Sequence, residues 1–140
     1  MTYHMNPELE NICEDIINNF QGELTWKWDG RFNTVLIEFT TEYNEKVLSV
    51  INRHLNSIWN SSNIEEAPDI VQVISTKMGS LRAGQILFTS DPDQDALVFC
   101  AWWPWGNGSK VSIRLAPCYE NLSDNERVEL VTQLKNRFIL

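Results

Sequence analysis

The sequence predicts an α+β fold in which a single domain, residues 1–140, has two layers: an antiparallel sheet and a set of amphipathic helices packed against it. Three observations support this prediction. Apolar residues recur at helical spacing in several separate stretches, an Asp-Gly pair divides two strand-like runs, and three short strand-like runs succeed one another in the C-terminal half. The predicted order is α-β-β-α-α-β-β-β-α, with a hairpin first and a three-stranded meander later.

The first helix is predicted to start after Asn6, because asparagine is a favourable N-cap and the proline that follows it suits the first helical position. Gly22 is the predicted end of the helix. The apolar stripe comprises Leu9, Ile12, Cys13, Ile16, Ile17 and Phe20. A strand follows at residues 24–28, where apolar and polar residues alternate, and the turn Asp29-Gly30 leads into a second strand at 32–39.

A second helix is predicted from Thr41 to about Trp59. Its stripe consists of Tyr43, Val47, Val50, Ile51, His54, Leu55 and Ile58. On this stripe His54 is interpreted as a hydrogen-bonded residue at the edge of the core. Segment 69–78 has the β-branched residues of a strand, but a proline precedes it and a glycine follows it. These flanking residues favour a short helix, and we predict a helix here.

Three strands are predicted for residues 85–89, 96–103 and 110–116, and the short turns between them favour an antiparallel meander. Ser123 and Glu126 have the spacing of a capping box, which predicts the start of a last helix that runs nearly to the end of the chain. The stripe of that helix is formed by Val128, Val131, Leu134 and Phe138.

The charge and length of the chain narrow the classes of partner. With 19 acidic and 11 basic residues the net charge is -8, which repels nucleic acids and anionic membranes and favours a basic protein as the partner, with a homodimer as the alternative. No apolar run is long enough to cross a bilayer, and the first residues lack the pattern of an export signal, so the predicted location is the cytoplasm. Three widely spaced cysteines are predicted to be reduced: Cys13, Cys100 and Cys118.

No residue pattern indicates catalysis, a metal or a cofactor, so a non-catalytic protein is favoured over an enzyme. Asp91, Asp93 and Asp95 match the first ligand positions of a calcium loop, but Ala96 and Trp102 stand where the loop requires a glycine and an acidic residue. An acidic surface turn is the prediction instead. Neither of the two histidines belongs to a catalytic or metal-binding motif.

The least ordinary feature is segment 101–108, with the sequence AWWPWGNG. The last predicted strand is apolar on one face only, whereas the strand that ends at Trp103 is apolar on both. One of Trp102 and Trp103 must therefore lie off the main core, where a loop, a second copy or a partner covers it. Trp105 is predicted to sit at the tip of the hairpin that follows.

Aromatic side chains beside an arginine are typical of the residues that dominate protein interfaces, and a tryptophan of this segment can stack on Arg114. The leading hypothesis is a non-catalytic protein-binding or self-associating module, chaperone-like or inhibitor-like. Its predicted contact residues are Trp102, Trp103, Trp105 and Arg114, and replacing Trp102 or Trp103 by alanine is predicted to abolish a complex with little loss of stability. The alternative is a small-ligand-binding protein or enzyme with an aromatic-lined pocket, whose predicted residues are Arg82, Trp103 and Arg114.

Overall fold

The computed structural model describes residues 6–93, 97–120 and 122–140. Helices of this part of the chain are α1 (Pro7–Phe20), α2 (Asn44–His54), α3 (Asp69–Lys77) and α4 (Asp124–Arg137). Its strands are β1 (Thr25–Asp29), β2 (Thr34–Thr40), β3 (Ser57–Trp59), β4 (Ile86–Thr89), β5 (Val98–Pro104) and β6 (Lys110–Pro117). They form one antiparallel sheet in the order β1-β2-β6-β5-β4-β3. The α+β class is confirmed and the predicted order broadly matches, with β3 as an added strand.

The caps of the first and last helices are those that the sequence predicts. Asn6 Oδ1 accepts a hydrogen bond of 2.6 Å from the backbone N–H of Glu8, at the start of α1. Ser123 and Glu126 form the reciprocal hydrogen bonds of a capping box at the start of α4. Segment 69–77 is helical, as favoured over the strand. None of the described helices is long and apolar enough to cross a membrane.

One face of the sheet, called face A here, carries the main core. Trp26, Ile37, Ile113 and Trp102 are consecutive partners across β1, β2, β6 and β5, so their side chains point to this same face. Helix α4 contacts this face at β1, and α1 is ion-paired with α4 and packed against α2, so these three helices form one layer on it. At the β1 edge the Trp26 ring packs edge-on against Phe138 with centroids 5.4 Å apart, and its Nε1 donates to the Phe138 carbonyl.

The opposite face, face B, is covered only in part. Helix α3 lies near the start of β5, where Ile74 and Met78 line a cavity together with Phe99 of face B. Over β1, β2 and β6 the same face carries exposed side chains such as Lys27 together with buried ones such as Leu36. Helix α3 therefore lies on the opposite side of the sheet from the layer on face A.

The predicted second helix is too long at its C-terminal end. Helix α2 ends at His54, Leu55 has an extended backbone, and Ile58 belongs to β3, where 48% of it is exposed. Strand β3 extends the sheet beyond β4, and Trp59 Nε1 donates a hydrogen bond of 3.1 Å to the hydroxyl of Thr89, which is fully buried. Apolar spacing alone did not distinguish this edge strand from another helical turn because pairing with β4 is a long-range interaction.

His54 is hydrogen-bonded at the boundary of the core, as predicted. Its Nε2 lies 2.9 Å from Asp15 Oδ2 on α1, and Arg53 Nη1 donates to the same carboxylate at 3.2 Å. Burial alone raises the pKa of Asp15, but hydrogen bonds from His54 and Arg53 and the charge of Arg53 outweigh it and lower the pKa below its usual value. The Asp15 carboxylate thus joins α1 to α2.

Asp15→Asn is expected to lower the free energy of unfolding by about 1 kcal/mol near neutral pH, because it removes charge-assisted hydrogen bonds at a partly exposed site. The folded-state pKa of Asp15 lies below the unfolded-state value, so its contribution is present above the unfolded pKa and is lost as the pH falls through the folded pKa. Urea denaturation across the acid range should therefore show a flatter pH dependence for the variant. Glu10→Gln, on the exposed side of α1, is the control and should retain the wild-type profile; identical profiles for both variants would contradict the prediction.

Candidate functional site

Three side chains pack around Arg114 on face B, and the four residues together are called the Arg114 stack: Asp29, Phe32, Trp103 and Arg114. The guanidinium carbon of Arg114 lies 4.3 Å from the centroid of the Trp103 ring and 5.6 Å from that of Phe32. The two rings meet edge-on, 5.9 Å apart. Arg114 pairs directly with Ala101 on β5, and this small side chain leaves room for the guanidinium to reach Trp103.

The charge of Arg114 is balanced within the chain. Its Nε donates a hydrogen bond of 2.7 Å to Asp29 Oδ2, and the two side chains are only 16% and 13% exposed. Burial alone raises the pKa of Asp29, but hydrogen bonds from the Arg114 side chain and from the Arg31 backbone outweigh it and lower the pKa. Arg114 is therefore already paired, and its geometric effect is to hold the Trp103 ring in place.

Trp105 lies at the β5–β6 turn, as predicted, and is 38% exposed. Its Nε1 donates a hydrogen bond of 2.9 Å to Ser112 Oγ, and Ser112 in turn donates to Glu38 at 3.4 Å. Glu38 also forms an ion pair of 3.2 Å with Lys27 on the edge strand. A row of polar contacts thus crosses β6, β2 and β1 and fixes the orientation of the Trp105 indole.

These residues form one continuous region of face B, called the indole surface: Lys27, Glu38, Trp103, Trp105, Lys110 and Ser112. Lys110 completes it, since its Nζ lies 5.1 Å from the centroid of the Trp105 ring. The indole surface and the Arg114 stack together carry three cations, Lys27, Lys110 and Arg114, and two carboxylates, Glu38 and Asp29. Asp29 neutralises Arg114 and Glu38 neutralises Lys27, so the balance of these residues is one positive charge, whereas the chain as a whole has a net charge of -8.

Two residues of the predicted sites lie elsewhere. Trp102 points to face A, is 5% exposed and packs against Phe39 with ring centroids 5.6 Å apart, so it is removed from the predicted contact residues. Trp103 is the tryptophan that lies off the main core. Arg82 sits in the loop before β4, bonded through its backbone to Gln85, and is absent from the described lining of the cavity next to the indole surface.

A cavity of about 310 Å³ lies beside the Arg114 stack, between α3, the β1–β2 turn and the segment that joins β6 to α4. Its lining is Arg31, Phe32, Asn33, Val73, Ile74, Lys77, Met78, Phe99, Cys118, Tyr119, Glu120 and Arg127. Tyr119 donates a hydrogen bond of 2.8 Å from its hydroxyl to the Asn33 carbonyl. Burial raises the pKa values of both Tyr119 and Cys118, so both groups are protonated at neutral pH.

Sequence reasoning did not find Phe32 or the lining of this cavity. Phe32 follows the Asp29-Gly30 turn, and no local signal places it 5.9 Å from Trp103. The calcium-loop comparison involves Asp95 and Ala96, which lie outside the described residues. Within the residues that are described, no group of three or more His, Cys, Asp or Glu side chains is arranged to hold a metal ion.

Comparison of the chain with models of protein families finds no match. Comparisons with curated proteins and with solved structures find none either. Inferences about function therefore rest on the chain's own residues and their geometry.

Proposed function

We propose that the chain is a non-catalytic protein-binding module, chaperone-like or inhibitor-like, that contacts its partner through the indole surface. The observation that carries the proposal is the pair of indoles on face B, beside the exposed Lys27 and Lys110. Trp103 is half-buried and stacked on Arg114, and Trp105 is 38% exposed and tied to Ser112. An indole fixed in this way loses little conformational entropy when a partner covers it, so its apolar area contributes strongly to binding.

The local charge specifies the partner more closely than the net charge does. Over distances beyond about 10 Å salt screens the field of the chain, so the cations near the indoles act at contact range. A partner that offers an apolar pocket for an indole, rimmed by acidic groups, is complementary to Lys27 and Lys110. A second copy of the chain is less favourable, because a dimer through the indole surface would place two identical sets of charges against each other.

We also propose that the protein works in the cytoplasm. The thiols of Cys13, Cys100 and Cys118 are free, and Cys13 and Cys100 are buried. Free thiols are typical of a reducing compartment, where disulfides rarely persist.

Trp105→Ala is expected to weaken the complex by roughly tenfold or more while the free energy of unfolding changes by only about 1 kcal/mol. The reason is that the Trp105 indole is substantially exposed and makes one hydrogen bond within the chain. The measurement is affinity purification of the wild type and the variant, followed by calorimetric titration of the recovered protein in purified form. Ile58→Ala is the matched control, because Ile58 is also exposed but lies on β3 at the far edge of the sheet.

Equal affinity of the wild type and Trp105→Ala for the same partner would reject the indole surface. A comparable loss with Ile58→Ala would place the interface on the β3 edge. Sedimentation of the wild-type chain tests whether it forms a homodimer. If it does, and if Trp105→Ala dissociates the dimer, self-association through the indole surface would be favoured over binding of an acidic partner.

A further inference from the structure

We propose that the cavity between α3 and the β1–β2 turn binds a small organic anion with an apolar body, an aromatic or branched monocarboxylate. This site goes beyond the protein-binding function, because its ligand and most of its residues are different. Only Phe32 belongs to both the Arg114 stack and the cavity lining.

The size and the walls of the cavity suit the apolar part of such a ligand. Its volume of about 310 Å³ is at the lower end of the range of ligand pockets, about 300–1,000 Å³. Apolar and aromatic side chains form half of its lining: Phe32, Val73, Ile74, Met78, Phe99 and Tyr119. Ligand pockets combine such walls with a few polar groups that fix orientation.

The cationic groups of the lining suit the anionic part. Arg31, Lys77 and Arg127 are exposed residues of the lining, and the carboxylate of Glu120 is bound by Lys77. Within the described residues, Arg31 and Arg127 form no ion pair, in contrast to Arg53 on α2. The charge of Arg127 also acts on the Glu120 carboxylate, and the Arg31 guanidinium lies 4.9 Å from the centroid of the Phe32 ring, so both guanidinium groups are close to the cavity. The planar guanidinium donates two parallel hydrogen bonds to a carboxylate, which makes that group the favoured anion.

The remaining polar groups of the lining indicate binding without chemistry. Tyr119 and Cys118 are protonated at neutral pH, and the Tyr119 hydroxyl already donates to the Asn33 carbonyl. A protonated thiol is a poor nucleophile, and the lining contains no histidine to activate it. The ligand is therefore expected to be held unchanged.

The test compares phenylpropanoate with phenylpropanamide, a neutral probe of nearly the same shape. In calorimetric titrations the carboxylate is expected to bind roughly tenfold or more tightly than the amide, since charge-assisted hydrogen bonds to arginine are lost with the amide. Arg127→Gln should weaken phenylpropanoate binding by a similar factor. Arg82→Gln is the matched control, because Arg82 is an exposed arginine outside the described cavity lining.

Cys118 supplies an independent readout. It lines the cavity and is partly exposed, whereas Cys13 and Cys100 are buried, so a maleimide should label Cys118 first. Phenylpropanoate is expected to slow that labelling in the wild type and in Arg82→Gln, and to have much less effect in Arg127→Gln. Thermal unfolding of each variant verifies that it is folded, and Arg127→Lys serves in place of Arg127→Gln if the latter is not.

Absence of binding by both probes, or equal affinity for the carboxylate and the amide, would overturn the proposal. An equal loss of affinity in Arg82→Gln would do the same. Inorganic phosphate is a third probe, and binding as tight as that of phenylpropanoate would show a simple oxyanion site instead. Trp105→Ala separates this proposal from the protein-binding one, because it should weaken binding of the protein partner and still bind phenylpropanoate like the wild type.

Discussion

Trp102→Ala is expected to lower the free energy of unfolding by about 3–5 kcal/mol, the cost of removing a large aromatic side chain from a core. Trp102 is 5% exposed, pairs with Ile86 on β4 and Ile113 on β6, and packs against Phe39. Its removal leaves a cavity in the middle of a six-stranded sheet, where neighbouring strands hold the backbone in place. Because small proteins are stable by only about 5–15 kcal/mol, the loss is a large fraction of the total.

The measurement is urea denaturation followed by far-UV circular dichroism, with Trp103→Ala as the matched comparison. Trp103 is half-buried, and its replacement removes the stacking on Arg114 together with part of a partly exposed ring, so a smaller loss of about 1–2 kcal/mol is expected. The sequence alone predicted the same small loss for both residues. Equal destabilisation by the two substitutions would contradict the placement of Trp102 on face A.

The elements that the sequence predicted well are those with local signals. The Asn6 cap and the capping box at Ser123 act over a few residues, and each appears where its pattern placed it. The first hairpin is present as well, but its loop covers residues 30–33 and β2 begins at Thr34, two residues later than predicted. Strands β5 and β6 are joined by a short turn, as predicted. These features depend on residues that are close together in the sequence, so residue type and spacing suffice to predict them.

The features that the sequence did not predict depend on register and on distant segments. Alternation showed that one of Trp102 and Trp103 leaves the core, but only the pairing of β5 with β6 assigns Trp103 to face B. Arg114 and its partner Asp29 are 85 residues apart, and the cavity is lined by five separate stretches of chain. A single sequence carries no local pattern for contacts of this range.

Arg114→Met is the second substitution with a large expected effect, a loss of about 2–4 kcal/mol near neutral pH. Methionine fills a similar volume but leaves the Asp29 carboxylate, 13% exposed, without its cation. Removing one partner of a mostly buried ion pair is strongly destabilising because the other charge remains away from water. The stacking of the guanidinium on Phe32 and Trp103 is lost as well.

The pH dependence of this loss has a definite sign. In the wild type the pKa of Asp29 is lowered in the folded state, so the contribution of the pair is present above the unfolded pKa and disappears as the pH falls through the folded pKa. In Arg114→Met the main opposing interaction is gone, and burial raises the pKa of Asp29. The difference in unfolding free energy between the two chains should therefore be largest near neutral pH and should narrow as the solution becomes acidic.

Urea denaturation of the wild type, Arg114→Met, Asp29→Asn and the double variant, at neutral and at acid pH, measures this coupling. Asp29→Asn in the Arg114→Met background replaces the unpaired carboxylate with a neutral amide, so the double variant should be more stable than Arg114→Met alone near neutral pH. Two outcomes would show that the pair does not stabilise the fold. One is that the two substitutions have additive effects on the free energy of unfolding, and the other is that the difference in this free energy between the wild type and Arg114→Met does not narrow at acid pH. Strong coupling would instead show that the pair stabilises the fold and holds Arg114 against the Trp103 ring.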